Sequence, residues 1–409
     1  MDDVVIVGGG LAGASTAEEL RKRGFEGGIR LLAKEPHPPY IRPPLSKGFL
    51  AGSEGLDAVL VHEEAWYADH DIELRTGTQV YEVDADERTL RLGGGEHLPY
   101  GTLLLATGST SRHLPIEGAE LRGVHYLRTL DESRTLHEEL AGGGRRLVLI
   151  GSGWIGMEVG ATARMLGNQV TILERDAVPL AAAIGEELGG MFAALHQEKG
   201  VVIRSRVQVA RIVGTGGVVT GVELGDGERV PADLVVIGVG AVPRLGLADS
   251  AGLATDNGIL VDPNMRTSDP HIFAAGDAAN AFHPLVRQRL RSEHWANARR
   301  GGKAAARGIL GVPGDYNDVP YFYTDQFDLG MEYSGFGTLA AGAELVYRGD
   351  REGREFIVFW LKKGRVVAGM NVNVWDVTDD VTRLIRVGFE GHTIDRGRLA
   401  DPDVPLGEL

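Results

Sequence analysis

The sequence predicts an α/β protein with two similar parallel-sheet domains and a small α+β C-terminal domain. The stretch VVIVGGGLAG at residues 4–13 is nearly repeated as VLIGSGWIGMEVG at residues 148–160. Each copy has an apolar, β-branched run, a glycine-rich turn and then helix-forming residues, which predicts a strand, a tight turn and a helix. The 409 residues are too many for one core. From Pro320 the pattern changes, and EFIVFWLKKGRVVAGMNVNV predicts two antiparallel strands around a Lys363-Gly364 turn.

Both glycine-rich turns are G-x-G-x-x-G turns, and each is followed about 20 residues later by an acidic residue, Glu35 or Glu174. In such a unit the glycines let the backbone approach a pyrophosphate, the helix N-terminus favours its charge, and the acid accepts from a ribose hydroxyl. In a chain with 59 glycines one such turn is a weak signal, and it is also compatible with a plain strand-to-helix connection. Because strand, helix and acid accompany both copies, we predict two Rossmann-like dinucleotide-binding domains.

The composition excludes several classes of function. The chain has no cysteine, which removes disulfides, thiolate metal sites and a redox dithiol. A formal net charge of −15 argues against nucleic-acid binding. No apolar run approaches the roughly 20 residues of a membrane helix, and the histidines show no metal-ligand spacing. The first strand begins at Val4, which leaves no room for a signal peptide, so we expect a cytoplasmic protein with neither metal nor membrane partner.

Ordered motifs along essentially the whole chain resemble the NADH-dependent ferredoxin reductases of oxygenase systems, within the two-dinucleotide-domain flavoprotein superfamily. The motifs are PPYIRPPLSK at 38–47, ATGS at 106–109, YLRTLDES at 126–133, GSGWIGMEVG at 151–160, GDAAN at 276–280 and YFYTDQFDLG at 321–330. The resemblance implies a glutathione-reductase-type arrangement with FAD on the first turn and NADH on the second. It implies an FAD domain at 1–106 and 242–318, an NADH domain at 107–241 and a C-terminal α+β domain at 320–409.

The resemblance also assigns cofactor residues position by position. For FAD the matching residues are Gly8, Gly10, Ala12, Gly13, Glu35, Arg42, Lys47, Val80, Thr107, Gly108, Arg128, Gly276, Asp277 and Trp295. For NADH they are Gly151, Gly153, Ile155, Gly156, Glu174, Arg175 and Gly240. The chain departs from the family twice, because Lys34 stands where an acid is common and Tyr323 where a tryptophan is common. Glu174 would repel a 2′-phosphate, so we expect NADH to be preferred over NADPH.

Two residues are candidates for the chemistry. The resemblance places Lys47 beside the flavin, where an ammonium would stabilise negative charge, and Glu158 near the nicotinamide, where it accepts from the carboxamide or pairs with the lysine. The alternatives are a solvated surface lysine and an acid that complements a helix N-terminus.

A basic stretch at residues 287–307 contrasts with the acidic chain. We interpret it as a docking site for an acidic ferredoxin, although a solvated helix face is the usual explanation for such a run. The docking candidates are Arg287, Arg289, Arg291, Arg299, Arg300 and Lys303.

The expected activity is electron transfer from NADH through FAD to a [2Fe–2S]-type ferredoxin, which then serves an oxygenase. One alternative is a rubredoxin or quinone reductase with the same first half-reaction. The other is a redox-sensing interaction protein similar to apoptosis-inducing factor. Disulfide reductases and cysteine-dependent peroxidases of this superfamily need thiols that the chain lacks.

Overall fold

The computed structural model describes residues 3–312, 314 and 316–409. Contacts group the described chain into two compact units. The first contains the chain up to Ile41, Asp57–Thr110 and Val242–Phe322, and the second contains Arg42–Leu56, Ser111–Ala241 and Tyr323–Leu409. The three-domain boundaries given above stay a prediction.

The α-helices in the described residues are α1 Leu11–Lys22, α2 Gly48–Ala51, α3 Leu56–Val59, α4 Glu64–Asp69, α5 Leu130–Leu140, α6 Trp154–Met165, α7 Ala181–Ile184, α8 Glu186–Glu198, α9 Gly246–Ser250, α10 Trp295–Ile309, α11 Thr378–Phe389 and α12 Arg396–Ala400. Short 3₁₀ helices occupy Pro43–Ser46, Gly93–Gly95, Gly276–Ala278, Gly337–Ala340 and Leu406–Glu408.

The first strands are β1 Val4–Val7, β2 Ile29–Leu32, β3 Ile72–Arg75, β4 Val80–Asp84, β5 Thr89–Leu92, β6 His97–Pro99, β7 Thr102–Leu105, β8 Ser109–Ser111, β9 Val124–His125, β10 Arg146–Ile150, β11 Gln169–Leu173, β12 Val202–Arg204 and β13 Val209–Thr215. The later strands are β14 Val218–Leu224, β15 Arg229–Pro231, β16 Leu234–Ile237, β17 Ala241–Pro243, β18 Ile259–Val261, β19 Ile272–Ala274, β20 Ala279–His283, β21 Gln288–Leu290, β22 Tyr321–Gln326, β23 Leu329–Gly335, β24 Glu344–Asp350, β25 Glu355–Lys362 and β26 Arg365–Val372.

A five-stranded parallel sheet forms the centre of the first unit, in the order β19-β7-β1-β2-β3. All four residues of β1 are buried, as expected for a strand covered on both faces. Helices α1 and α10 pack closely through small residues. The Thr16 hydroxyl on α1 donates to the Gly302 carbonyl on α10 at 2.9 Å. A side chain at Gly302 would collide with the Ala12 carbonyl. This close packing fixes the N-terminal end of α1, where the first glycine turn lies.

The second unit contains an equivalent parallel sheet, in the order β12-β11-β10-β16-β9. In both sheets the middle strand, β1 or β10, leads into a glycine turn. The neighbouring strand, β2 or β11, ends just before the predicted acid. The carboxyl ends of parallel strands lie at one edge of a sheet, so turn and acid are neighbours in both units. This duplication explains the repeat in the sequence.

The C-terminal sheet has the order β22-β23-β26-β25-β24, and apart from Tyr321 and Phe322 at the start of β22 its strands belong to the second unit. Strands β25 and β26 are antiparallel and are joined at Lys363 and Gly364, whose φ angles of 51° and 74° suit a tight hairpin turn. Helix α11 packs on β26, where a side chain at Gly369 would lie 2.5 Å from Val381. The two predicted strands and their turn are therefore present.

The predicted fold class, two Rossmann-like sheets and a small α+β C-terminal domain, is confirmed. None of the helices in the described part of the chain has both the length and the apolar character needed to cross a bilayer.

Candidate functional site

The first glycine turn has the geometry of a pyrophosphate cradle. Gly8 has a φ of 131°, and a side chain there would collide with the carbonyl of Ala106. A side chain at Gly13 would collide with the carbonyl of Gly8 itself. Gly10, by contrast, faces open space, with no atom within 4 Å of the position of a Cβ. Helix α1 begins there without a side-chain cap, so its N–H groups are available to an anion.

The second turn repeats this geometry. Gly151 has a φ of 97°, and its Cβ would lie 2.5 Å from the Gly238 carbonyl. A side chain at Gly156 would collide with the carbonyl of Gly151, whereas Gly153 faces open space. Helix α6 likewise begins without a side-chain cap. Each unit therefore offers one cradle.

The two predicted ribose acids differ in how they are held. The Tyr40 hydroxyl donates to Glu35 Oε2 at 2.5 Å. Glu174 Oε2 accepts from both the backbone N–H and the hydroxyl of Ser152, which lies inside the second glycine turn. The N–H of Asp176 donates to Glu174 Oε1 at 2.7 Å. Glu174 is thus tied directly to the second glycine turn.

Asp277 lies beside the first cradle. The 3₁₀ helix Gly276–Ala278 follows β19, and a Cβ at Gly276 would lie 3.0 Å from that of Ala12. The carboxylate of Asp277 is buried and accepts from Ser109 Oγ at 2.8 Å. The structure therefore brings Ala12, Gly276 and Asp277 together, and their contact with FAD stays a prediction.

Further residues expected at FAD also lie in the first unit. Trp295 is the first residue of α10, and its buried indole N–H has no hydrogen-bond partner within the described residues. Thr107 and Gly108 are tied to the backbone of Arg244 by bonds of 3.0 Å. Val80 is buried at the start of β4. The open side of the first turn, its acid and the unused indole donor fit a flavin dinucleotide.

The other expected cofactor residues lie in the second unit. The guanidinium of Arg42 donates to the carbonyl of Arg128. Ile155 is exposed on the first turn of α6, and Arg175 is exposed to 87% beside Glu174. Gly240 has a φ of 102°, and its carbonyl accepts from the N–H of Arg112 at 2.9 Å.

Lys47 and Glu158 form a buried ion pair within the second unit. Lys47 Nζ lies 2.9 Å from Glu158 Oε1, and the two side chains are exposed to 15% and 4%. The ammonium also donates to the Pro43 carbonyl at 3.2 Å. Glu158 accepts further bonds from Ser46 Oγ at 2.5 Å and Thr324 Oγ1 at 2.7 Å. Lys47 is therefore not a solvated surface residue.

Two groups near this ion pair have raised pKa values. Burial, followed by the carboxylates of Asp325, Glu158 and Glu54, raises the pKa of Tyr323 to about 12. Burial also raises the pKa of the Asp325 carboxyl, with Lys47 opposing the shift. The ring of Tyr323 lies 5.5 Å from Lys47 Nζ, so the residue that departs from the family pattern lines the ion pair as a neutral phenol.

Sequence reasoning missed Ser46, Thr324, Gln326 and His196 as residues of this site. The available signal was the motif YFYTDQ, in which Thr324 and Gln326 are two apart on a strand and share one face. No signal connected His196 on α8 to that motif, although its Nε2 lies 2.8 Å from Gln326 Oε1.

The basic stretch forms a hairpin, a loop and α10 in the first unit. Arg287 is exposed at the hairpin turn, and Arg299 lies over the ring of Trp295 at 5.6 Å. Arg289 donates to the carbonyls of Val261 and Asn280. The remaining candidates are less exposed: Arg291 pairs with Glu293 and is exposed to 13%, Arg300 donates to the Val319 carbonyl, and Lys303 is half-buried.

Comparison with known proteins gives two matching family models. Pyridine nucleotide-disulphide oxidoreductase matches residues 2–302, and the reductase C-terminal model matches residues 321–409. The chain is 38% identical over 408 residues to a ferredoxin–NAD(P)(+) reductase of a Sphingomonas species, covering 99% of this chain and 96% of the relative.

A second relative is the ferredoxin–NAD(+) reductase component of the anthranilate 1,2-dioxygenase system of Burkholderia cepacia. It is 38% identical over 410 residues, covering 99% of this chain and 98% of the relative. The reductase in the crystal structure of the covalent putidaredoxin reductase–putidaredoxin complex matches with a TM-score of 0.93 and 36% identity. That match covers 100% of this chain and 97% of the solved chain.

Proposed function

The chain belongs to the pyridine nucleotide-disulphide oxidoreductase family, and on that premise we propose that it is an FAD-dependent NADH:ferredoxin oxidoreductase. It takes electrons from NADH and passes them singly to a [2Fe–2S]-type ferredoxin that serves an oxygenase. The resemblance described above is confirmed, since two relatives at 38% identity over nearly the whole chain are ferredoxin reductases. Neither the rubredoxin or quinone reductase nor the redox-sensing protein is favoured.

One observation carries the proposal: two equivalent glycine cradles, each with its own acid, lie in a chain without cysteine. One cradle serves a resident dinucleotide and the other a dinucleotide that enters and leaves. Since no thiol is present to accept electrons, they pass to an external acceptor. A ferredoxin is the acceptor that fits the relatives.

Bound FAD supplies the conversion between a two-electron donor and a one-electron acceptor. The open side of Gly10 and the N-terminus of α1 bind its pyrophosphate. Glu35 accepts from the adenosine ribose, and the buried carboxylate of Asp277 holds the ribityl and phosphate region. The unused indole N–H of Trp295 is a further donor for this group.

The ammonium of Lys47 can donate hydrogen bonds to the cofactor. An ammonium carries three N–H donors, of which the Pro43 carbonyl accepts one, and Glu158 lies beside it as the partner charge. The ammonium therefore keeps donor capacity for the cofactor. Glu158 fixes the direction of the ammonium, and the ring of Tyr323 lies 5.5 Å from Lys47 Nζ. We assign to Lys47 the role of holding positive charge beside the flavin.

Glu174 supports a preference for NADH. It is anchored to the second turn by Ser152 and directs a carboxylate toward the position of the adenosine ribose. A free 2′-hydroxyl can donate to this carboxylate, whereas a 2′-phosphate is repelled by it. The neighbouring Arg175 is highly exposed and can turn toward a phosphate only at the cost of that repulsion.

Anaerobic mixing with NADH and with NADPH, followed through the flavin absorbance, tests both the activity and the coenzyme choice. The purified protein should release one FAD per chain, and NADH should reduce it with a kcat/KM about tenfold above that of NADPH. The difference corresponds to about 1.4 kcal/mol, which is within the range of one charge contact. Glu174→Ala should lower the ratio of the kcat/KM for NADH to the kcat/KM for NADPH. A protein that binds no FAD, or FAD that NADH does not reduce, would refute the proposal.

The ferredoxin is proposed to dock on the exposed part of the basic stretch. Arg287, Arg289 and Arg299 offer positive charge, and the exposed ring of Phe282 lies opposite Arg289 in the β20–β21 hairpin. An apolar ring among arginines is typical of a protein-binding surface. The less exposed Arg291, Arg300 and Lys303 complete the patch.

We also propose that the protein is located in the cytoplasm.

A further inference from the structure

A line of buried hydrogen bonds leads from the carboxylate of Glu158 to a histidine on α8. Thr324 Oγ1 lies 2.7 Å from Glu158 Oε1, and Gln326 Nε2 lies 3.1 Å from Thr324 Oγ1. His196 Nε2 then lies 2.8 Å from Gln326 Oε1. All four side chains are buried, and all belong to the second unit. The bonds join α6 and α8 to β22, which is distant from both in the sequence, since His196 and Gln326 are 130 positions apart.

The direction of each of these hydrogen bonds follows from the charge of Glu158. An ionised carboxylate only accepts, so the Thr324 hydroxyl must donate to it. Thr324 then has lone pairs for the amide N–H of Gln326, which leaves the amide oxygen of Gln326 to face His196. His196 must therefore carry its proton on Nε2.

The surroundings of His196 agree with this tautomer. Its Nδ1 is buried and has no hydrogen-bond partner within the described residues, so a proton there would be an unsatisfied donor. Burial, partly opposed by the bond to Gln326, lowers the pKa of His196 to about 4. The ring is thus neutral near pH 7.

We propose that Thr324, Gln326 and His196 are positioning residues that hold the Glu158 carboxylate, and through it the Lys47 ammonium, in the orientation used for reduction of the flavin. The proposal rests on the proposed function for the role of Lys47. Glu158 Oε1 accepts from the Thr324 hydroxyl and also lies 2.9 Å from Lys47 Nζ, so the hydroxyl restricts rotation of the carboxylate about the ion pair. Gln326 orients that hydroxyl, and His196 prevents the amide from turning over.

The test removes one hydroxyl and then restores it. Thr324→Val keeps the shape of the side chain but loses both its bonds, and Thr324→Ser returns the hydroxyl. Thr378→Val is the matched control. The Thr378 hydroxyl donates to Glu332 Oε2 at 2.9 Å in the same unit and takes no part in the hydrogen bonds between Glu158 and His196. All three are compared with the wild-type holoenzyme in anaerobic stopped-flow reduction by NADH.

Thr324→Val should slow flavin reduction about tenfold while the dissociation constant of NADH stays nearly unchanged, because the nucleotide cradle is not altered. Thr324→Ser should recover most of the rate, and Thr378→Val should match the wild type. The proposal would be overturned if Thr324→Val reduced its flavin at the wild-type rate, or if Thr378→Val lost as much of that rate as Thr324→Val.

A second readout does not depend on activity. In ¹⁵N-histidine NMR spectra of the holoenzyme at pH 7, His196 should show a protonated Nε2 and an unprotonated Nδ1. Gln326→Leu should abolish this preference. An unchanged tautomer in Gln326→Leu would overturn the hydrogen-bond chain. If NADH does not reduce the wild-type flavin, the proposed function fails, and the spectra still decide whether the chain of bonds exists.

Discussion

Glu158 accepts hydrogen bonds from Ser46 and Thr324 and forms an ion pair with Lys47, and these three partners explain how a carboxylate can be buried here. Burial of an unpaired charge costs several kcal/mol, and a partner charge offsets that cost only when the other lone pairs are also satisfied. Thr324 donates to Oε1, which also lies 2.9 Å from Lys47 Nζ, and Ser46 donates to Oε2. These partners come from two distant segments, residues 46–47 and β22, so at the scale of the residue the site depends on tertiary structure.

His196 should make the stability of the protein depend on pH. Its pKa is about 4 in the folded chain and 6.5 in the unfolded chain, so the unfolded state binds more protons between these values. Stability should therefore be full above pH 6.5 and should fall by about 3 kcal/mol as the pH decreases to about 4. Urea unfolding at several pH values measures this fall.

His196→Gln is the control for this prediction. A glutamine at this position still offers an amide N–H to Gln326 but does not titrate. Because other acidic groups titrate equally in both proteins, only the difference between the two curves reports on His196. Parallel curves for wild type and His196→Gln would contradict the assignment.

The βαβ units could be predicted at the scale of the element because all their signals are local. Glycine spacing, the strand before it and the acid after it lie within about 35 residues, and the structure bonds Glu174 to Ser152 of the second turn and Glu35 to Tyr40, which pairs with Gly10 of the first. The Lys363-Gly364 hairpin is equally local. The bonds from His196 to Gln326 and from Thr324 to Glu158 could not be predicted, because each joins residues more than 100 positions apart.

Replacement of Gly153 and replacement of Gly156, both in the second glycine turn, should have different effects. Gly153 has backbone angles of −68° and 178°, which suit alanine, and a methyl group there would occupy only the space of the ligand. Gly153→Ala should keep the thermal midpoint and weaken NAD⁺ binding about tenfold, or about 1.4 kcal/mol. In Gly156→Ala the methyl group would collide with the Gly151 carbonyl, so this variant should lose about 2 kcal/mol of stability.

Calorimetric titration with NAD⁺ and thermal unfolding of the holoenzyme distinguish these outcomes. A Gly153→Ala variant that binds NAD⁺ as tightly as the wild type would show that the second turn is not the nucleotide cradle.

At the scale of the whole molecule, the charge is unevenly distributed. The chain has a formal net charge of −15, yet exposed arginines cluster on the β20–β21 hairpin and α10. Such a local patch attracts an acidic partner at close range, while the overall charge repels acidic molecules that approach elsewhere. Electron transfer to a ferredoxin should therefore depend on salt and on these few side chains.

Charge reversal tests the docking surface. Arg287→Glu and Arg299→Glu should raise the KM for an acidic [2Fe–2S] ferredoxin, because they replace attraction by repulsion. Arg91→Glu is the control, since Arg91 is also an exposed arginine and lies on β5 of the same unit. Turnover with NADH and ferricyanide should be unchanged in all three variants. An equal effect of all three reversals on the ferredoxin KM would place the docking site elsewhere.

The most direct test of the account is the rate of NADH-dependent ferredoxin reduction by the wild-type holoenzyme as salt is increased, with ferricyanide as the reference acceptor. The Debye length falls from about 10 Å at 0.1 M to about 3 Å at 1 M, so the attraction between the two proteins is screened, whereas reduction of the flavin by NADH involves no docking of a second protein. We predict rapid ferredoxin reduction that slows with salt, and ferricyanide reduction that does not. Rapid ferricyanide reduction with no ferredoxin reduction at any salt concentration would contradict the account.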